Sequence, residues 1–171
     1  FPDAGWQEQD PMDIINTVKE CMQLTFDESG IRPEQIASIG ITNQRETTIV
    51  WNRITGKPYY NAIVWCDCRT EGIIDGLIKD PENTLGQDRW RDKTGLPIST
   101  YFSGSIFLWL LQHCEALKKD VLECPENICI DTIDSWILYG LTGEFKTDIS
   151  NAARTFLFNI RTLQWADELC N

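Results

Sequence analysis

An apolar run, Ile36-Ala37-Ser38-Ile39-Gly40-Ile41, stops abruptly at an amide pair, Asn43-Gln44, and then at an adjacent Arg45–Glu46 pair. The run is long enough for one buried strand. Polar groups clustered at the end of a strand are well placed to bind a ligand at the edge of an α/β sheet. Arg45 offers a planar fork of donors and Glu46 accepts hydrogen bonds. Together they suit a small polyhydroxylated molecule, whose hydroxyls both donate and accept. The competing reading is a solvated turn carrying a surface ion pair, an arrangement that is common and contributes little.

The rest of the chain alternates helical and strand patterns. Asp10 can cap a helix that Pro11 opens, with apolar Ile14, Ile15, Val18, Cys21, Met22 and Phe26 at helical spacing and Gly30 as its stop. Pro33 opens a short turn before the predicted strand Ile36–Ile41. Thr47–Trp51 reads as a second strand, Asn52–Lys57 as a turn, and Tyr59–Trp65 as a returning strand, so these two runs predict a hairpin. Arg69–Lys79 predicts a helix, and residues 81–95 are polar and irregular. Ser103 is the expected cap of an apolar helix through Leu111, followed by a more charged helix over Glu115–Leu122. Ile128–Ile130 predicts a short strand. Thr132–Leu141 predicts a helix that Gly143 ends, with Asp131 and Asp134 favouring its positive start. Phe145–Thr147 and Phe156–Phe158 are candidate short strands around a turn or short helix at 149–153. This alternation points to an α/β fold.

With 171 residues the chain can bury a real core in one domain. It begins at Phe1 and ends just after an amphipathic stretch, Leu163–Leu169, so it reads as a fragment. No apolar run approaches the ~20 residues a membrane span needs. The net charge of −11 argues against a general nucleic-acid surface, which requires clustered Lys and Arg. Seven irregularly spaced cysteines predict free thiols in a reducing compartment. Cys66 and Cys68 form a Cys-x-Cys pair, but a metal would need two more ligands, and the only histidine is His113. No metal site is predicted.

A longer series of motifs joins the 40–48 segment. It comprises Gly5-Trp6-Gln7 with Asp10-Pro11, Asn61-Ala62-Ile63-Val64-Trp65, Thr94-Gly95-Leu96-Pro97 and Tyr101-Phe102-Ser103. Further on come Asp131-Thr132-Ile133-Asp134-Ser135-Trp136, Leu141-Thr142-Gly143 and Asn151-Ala152-Ala153-Arg154-Thr155. In this order and at these separations, from Gly5 to about Trp165, the chain resembles the N-terminal lobe of the FGGY carbohydrate kinases, in their glycerol kinase branch.

The resemblance implies a ribonuclease-H-like (actin-like ATPase) lobe, incomplete at both ends, with residues 1–171 as part of the N-terminal domain. It implies a parent enzyme that transfers the γ-phosphate of ATP, with Mg2+, to glycerol, giving glycerol 3-phosphate. Arg45 and Glu46 match the pair that binds glycerol hydroxyls, Trp65 the aromatic against the polyol carbons, and Tyr101 a further hydroxyl-binding side chain. No catalytic residue is expected here: the phosphate hairpin, the general-base Asp and the nucleotide lobe of the family lie outside the matched segment. ATP and Mg2+ would be bound mainly by those other parts. The parent is expected to be a cytoplasmic homo-oligomer. Asn151–Thr155 is expected to shape the lobe. One departure stands out: Ile106 occupies a position where the family usually has Lys, and Leu108 another commonly polar one. Alternatives are a related polyol or sugar kinase, or a non-catalytic polyol-binding module from a truncated or diverged kinase.

Overall fold

The computed structural model describes residues 2–170. Helix α1 (Pro11–Ser29) starts as its sequence predicts: Asp10 accepts from the Met12 N–H at 2.7 Å, and Pro11 occupies the first turn. Gly30, at φ +67°, closes it in the left-handed conformation that only glycine adopts without penalty.

The sheet is built on β2 (Thr48–Asn52). One edge of β2 pairs antiparallel with β5 (Ile128–Thr132) over five residue pairs, from Thr48 opposite Thr132 to Asn52 opposite Ile128. The other edge carries β3 (Lys57–Pro58) and β4 (Ala62–Ile63) in succession, and β1 (Glu8–Gln9) lies beyond β4. The hairpin predicted between 47–51 and 59–65 therefore forms, but its second arm is broken. Trp51 faces Pro58 whereas Thr48 faces Ile63, so two extra residues bulge out between β3 and β4.

Strand alternation gives the sheet two apolar faces. Ile49 and Trp51 point to α1 and to α6 (Ile133–Thr142), packing with Ile15, Ala62, Cys129, Ile133 and Trp136. The Trp51 ring is wholly buried and lies 5.2–5.5 Å from the rings of Trp136, Tyr139 and Phe145. The Trp136 indole N–H donates to the Pro11 carbonyl at 2.8 Å, tying the start of α1 to α6. The two helices cross at Gly140, where a Cβ would stand 2.5 Å from Ile15 Cγ1. On the opposite face, Val50 and Ile63 pack against α4 (Ser103–His113) and α5 (Glu115–Glu123) through Ile106, Trp109, Leu110 and Leu117. Ile106 is 1 % exposed. It points inward and is absorbed by this apolar layer.

Helix α2 (Glu71–Lys79), the short helix α3 (Arg91–Thr94), α7 (Ile149–Ala152), the β6–β7 ribbon (Phe158–Asn159 with Gln164–Trp165) and α8 (Asp167–Cys170) complete the described chain.

Four local expectations change. Residues 36–41 belong to no strand or helix, and Ile39 is 60 % exposed. A strand persists only when a neighbour satisfies its backbone N–H and C=O groups. Among the described residues none runs beside this segment. Ser103 does not cap α4: Phe102 is the cap residue, and the Ser103 hydroxyl is buried without a partner. Phe145–Thr147 forms no strand, and Phe145 instead packs on Trp51. The strand expected at 156–158 begins only at Phe158.

Candidate functional site

The turn between residues 40 and 46 is shaped by side chains far away in sequence. Asn43 donates through Nδ2 to Asp134 Oδ1 at 2.6 Å and to Asn151 Oδ1 at 3.1 Å. Asn151 is itself held by Asp148, which caps α7 by accepting from the Ser150 and Asn151 N–H groups. Asp134 also accepts from the Thr132 hydroxyl in the first turn of α6. Thus α6 and α7 both grip the turn that leads into β2. The neighbouring Asp131, at the end of β5, accepts from the Thr132 N–H and the Ser135 hydroxyl, each at 2.8 Å. Burial pushes its carboxyl up to about 6, against those hydrogen bonds. Burial likewise raises Asp134, opposed by the Thr132 hydroxyl.

Arg45 stands at φ +55°, a conformation that costs a side-chain-bearing residue roughly 1–2 kcal/mol. The turn is tight: the Glu46 N–H donates to the Gln44 carbonyl at 2.7 Å. This strain places the two neighbours in opposite environments. The Arg45 side chain is exposed and makes no ion pair within the described residues. Glu46 is 1 % exposed. The surface ion pair that was the alternative reading of Arg45–Glu46 does not form. Glu46 instead accepts from Arg154 Nε at 2.6 Å.

The aromatic candidates meet at the same place. Trp65 and Tyr101 are in ring contact, with centroids 5.3 Å apart. The Arg154 guanidinium carbon lies 5.8 Å from the Tyr101 ring and 5.1 Å from that of Phe102. Thr47 couples the two strand ends, donating to Gln44 Oε1 at 2.8 Å while the Trp65 N–H approaches its hydroxyl at 3.4 Å. Trp65, 41 % exposed, keeps an open face. Of the four candidate residues, Trp65 and Tyr101 are in contact, Arg154 links Tyr101 to Glu46, and Arg45 precedes Glu46 with its side chain exposed.

Behind Trp65 lies a buried charged knot. The Arg69 side chain is fully buried, donating to both Asp67 oxygens at 2.8–2.9 Å and to Glu8 at 2.8 Å. Its guanidinium sits 4.0 Å from the Trp6 ring centroid. Burial opposes the Arg69 charge, but Asp67 and Glu8 outweigh it and hold the group more firmly protonated. Asp67 also accepts from the Gln7 N–H at 2.6 Å. The turn carrying Trp65 is therefore pinned to β1 by buried, paired charges, which would be costly to break singly.

Sequence reasoning missed Asn43, Asp67, Arg69, Asp148 and Arg154 as supports of the site. The signals were faint: an Asp-x-Arg beginning two residues after Trp65, and an Arg154 within the Asn151–Thr155 motif. Among the described residues no group of three or more His, Cys, Asp or Glu side chains could hold a metal ion.

Comparison with known proteins bears on the family and the fold. The profile of the FGGY family of carbohydrate kinases, N-terminal domain, matches residues 1–171. A probable glycerol kinase from Caenorhabditis elegans is 43 % identical over 99 % of this chain and 34 % of its own length. The crystal structure of Plasmodium falciparum glycerol kinase with ADP superposes with a TM-score of 0.82 at 37 % identity, covering 98 % of this chain and 33 % of that one. A gluconate kinase from Lactobacillus acidophilus follows at a TM-score of 0.76 and 28 % identity, over 98 % and 31 % of the two chains. The chain spans about a third of the length of the curated relatives it matches. The fold is that of one ribonuclease-H-like lobe of the actin-like sugar kinases. By family profile, sequence and fold together, this chain belongs to the FGGY carbohydrate kinases, in which it corresponds to the N-terminal domain.

Proposed function

We propose that the chain supplies part of the glycerol pocket of an ATP-dependent glycerol kinase. One observation carries the reading: a buried carboxylate, Glu46, is tied through Arg154 to the Trp65–Tyr101 ring pair, with the exposed Arg45 next to it in sequence at a positive φ. In this reading Glu46 accepts from glycerol hydroxyls and Arg45 donates to them. Trp65 covers the C–H side of the polyol and excludes water, and Tyr101 supplies a further hydroxyl contact. A terminal glycerol oxygen then attacks the γ-phosphorus of ATP. The new O–P bond forms as the bond to the β-phosphate bridge breaks, releasing ADP, and the hydroxyl proton passes to a carboxylate base. None of Asp131, Asp134 and Asp148 is assigned that base, because each is engaged in holding the fold. The base, the phosphate cradle and the Mg2+ site are assigned to other parts of the complete protein.

The fold is shared with a gluconate kinase, so a larger polyol or sugar is the second reading. The Arg45–Glu46 pair and the 43 % identity to a probable glycerol kinase favour glycerol. The complete protein is read as a homo-oligomer on the resemblance alone. A cytoplasmic setting is supported by seven free thiols, while no helix among the described residues is long and apolar enough to cross a membrane.

The test uses the complete protein with ATP and glycerol, xylulose or gluconate. Glycerol should be the preferred acceptor. Arg45→Leu should raise the glycerol KM about tenfold to a hundredfold, since hydrogen bonds to charged groups are worth roughly 1.5–3 kcal/mol. The ATP KM should hardly move. An unchanged glycerol KM in a folded Arg45→Leu protein would refute the pocket.

A further inference from the structure

We infer that Arg154 is a positioning residue for the polyol site, acting through Glu46. This inference rests on the proposed glycerol pocket and assigns it a further member. Glu46 is almost wholly removed from water, and Arg154 is the only residue that bonds its carboxylate among the described residues. A buried carboxylate needs a partner to keep both its charge and its direction. Conversely, the bond to Glu46 is the only hydrogen bond that the Arg154 side chain makes there. The engagement is therefore mutual and exclusive, unlike Arg69, which divides its donors between Asp67 and Glu8.

The bond uses Nε, leaving the flat guanidinium beside the aromatic wall, 5.8 Å from the Tyr101 ring and 5.1 Å from the Phe102 ring. Tyr101 in turn touches Trp65. One side chain thus sets the spacing between the hydrogen-bonding half of the site and its stacking half. Its backbone is fixed as well. The Arg154 N–H donates to the Asn151 carbonyl at 2.9 Å, and Asn151 shares Asn43 with Asp134. The same short segment therefore holds the site turn at Asn43 and its carboxylate at Glu46. A lysine at 154 would keep the charge but lose the planar fork that bonds and stacks at once.

The experiment is a double-mutant cycle in the complete protein, with glycerol and ATP varied separately and thermal unfolding followed throughout. Arg154→Gln should raise the glycerol KM roughly tenfold to a hundredfold, the loss of one charged hydrogen bond, and leave the ATP KM within about twofold. In a Glu46→Gln background, the same change should add less than about threefold, because its target is already altered. Arg154→Lys should fall between wild type and Arg154→Gln. Added guanidinium should restore part of the glycerol affinity of Arg154→Ala. Should Arg154→Gln fail to fold, Arg154→Lys replaces it in the cycle. A purely structural Arg154 would lower the unfolding temperature and raise the glycerol KM equally in both backgrounds. That additivity, or an unmoved glycerol KM, overturns the inference. If instead Glu46→Gln leaves the glycerol KM unchanged, the glycerol pocket itself fails, and the positioning role fails with it.

Discussion

Two apolar stretches flank the turn at Asn43–Glu46, and they meet opposite fates. Residues 48–52 are buried on both faces and paired on both edges. Residues 36–41 look as apolar in sequence, yet expose Ile36, Ile39 and Ile41 at 39–60 %. The difference lies in the backbone. β2 has β5 on one side and β3 and β4 on the other, whereas 36–41 has no strand beside it among the described residues. Side chains can find an oily surface almost anywhere, and here Ile36 and Ile39 line an open groove together with Val18, Met22 and Phe26 of α1. Amide groups need a ladder. The contrast teaches that an apolar run predicts a strand only where neighbouring strands exist to receive it.

The largest test of this contrast is Ile106→Lys, on the layer that covers β2. It would bury an ammonium without a partner among Val50, Ile63, Trp109 and Leu110. The expected loss is several kcal/mol, read as a lowered denaturant midpoint. An unmoved midpoint would show that the layer around β2 yields as freely as 36–41.

A smaller effect comes from pH. The β2–β5 end carries buried Asp131, whereas 36–41 has no titratable side chain. The Asp131 carboxyl is raised from its ordinary 3.8 to about 6, so between these values the folded state binds more protons than the unfolded. Its contribution is most favourable below about 4 and is lost as pH rises through 6. The span corresponds to up to about 3 kcal/mol. Asp131→Asn should remove this slope from the pH dependence of urea unfolding. Parallel wild-type and mutant curves between pH 4 and 7 would contradict it.

The smallest expected effect is Ile39→Lys. At an exposed, unpaired position the change should stay within about 0.5 kcal/mol. A loss of more than about 2 kcal/mol in the same urea titration would mean that 36–41 is packed in solution, and the comparison would collapse.

Local chemistry made much of the fold legible. Asp10, Pro11 and Gly30 announced α1, and Gly143, at φ +77°, ended α6 where expected. The inward direction of Ile106 followed from a helix with almost no polar face. The second arm of the hairpin was legible as a strand but not as a broken one, because the bulge arises where Tyr59 binds Asp120 on α5, far away in sequence. For the candidate site, Glu46, Trp65 and Tyr101 enter only through the family resemblance, whereas Arg154 reads as ordinary lobe structure because its partner lies 108 residues away.

The sequence by itself determined the start and stop of α1, the stop of α6 and the family, because these rest on neighbours within a few residues or on motif order. Only the tertiary structure decided that Glu46 turns inward while Arg45 turns out, that Arg154 rather than Arg45 pairs with Glu46, and that 36–41 remains without a sheet. Each depends on which distant groups arrive to satisfy a charge or a backbone amide, and hydrogen-bond satisfaction in a buried site is a property of the assembled surroundings.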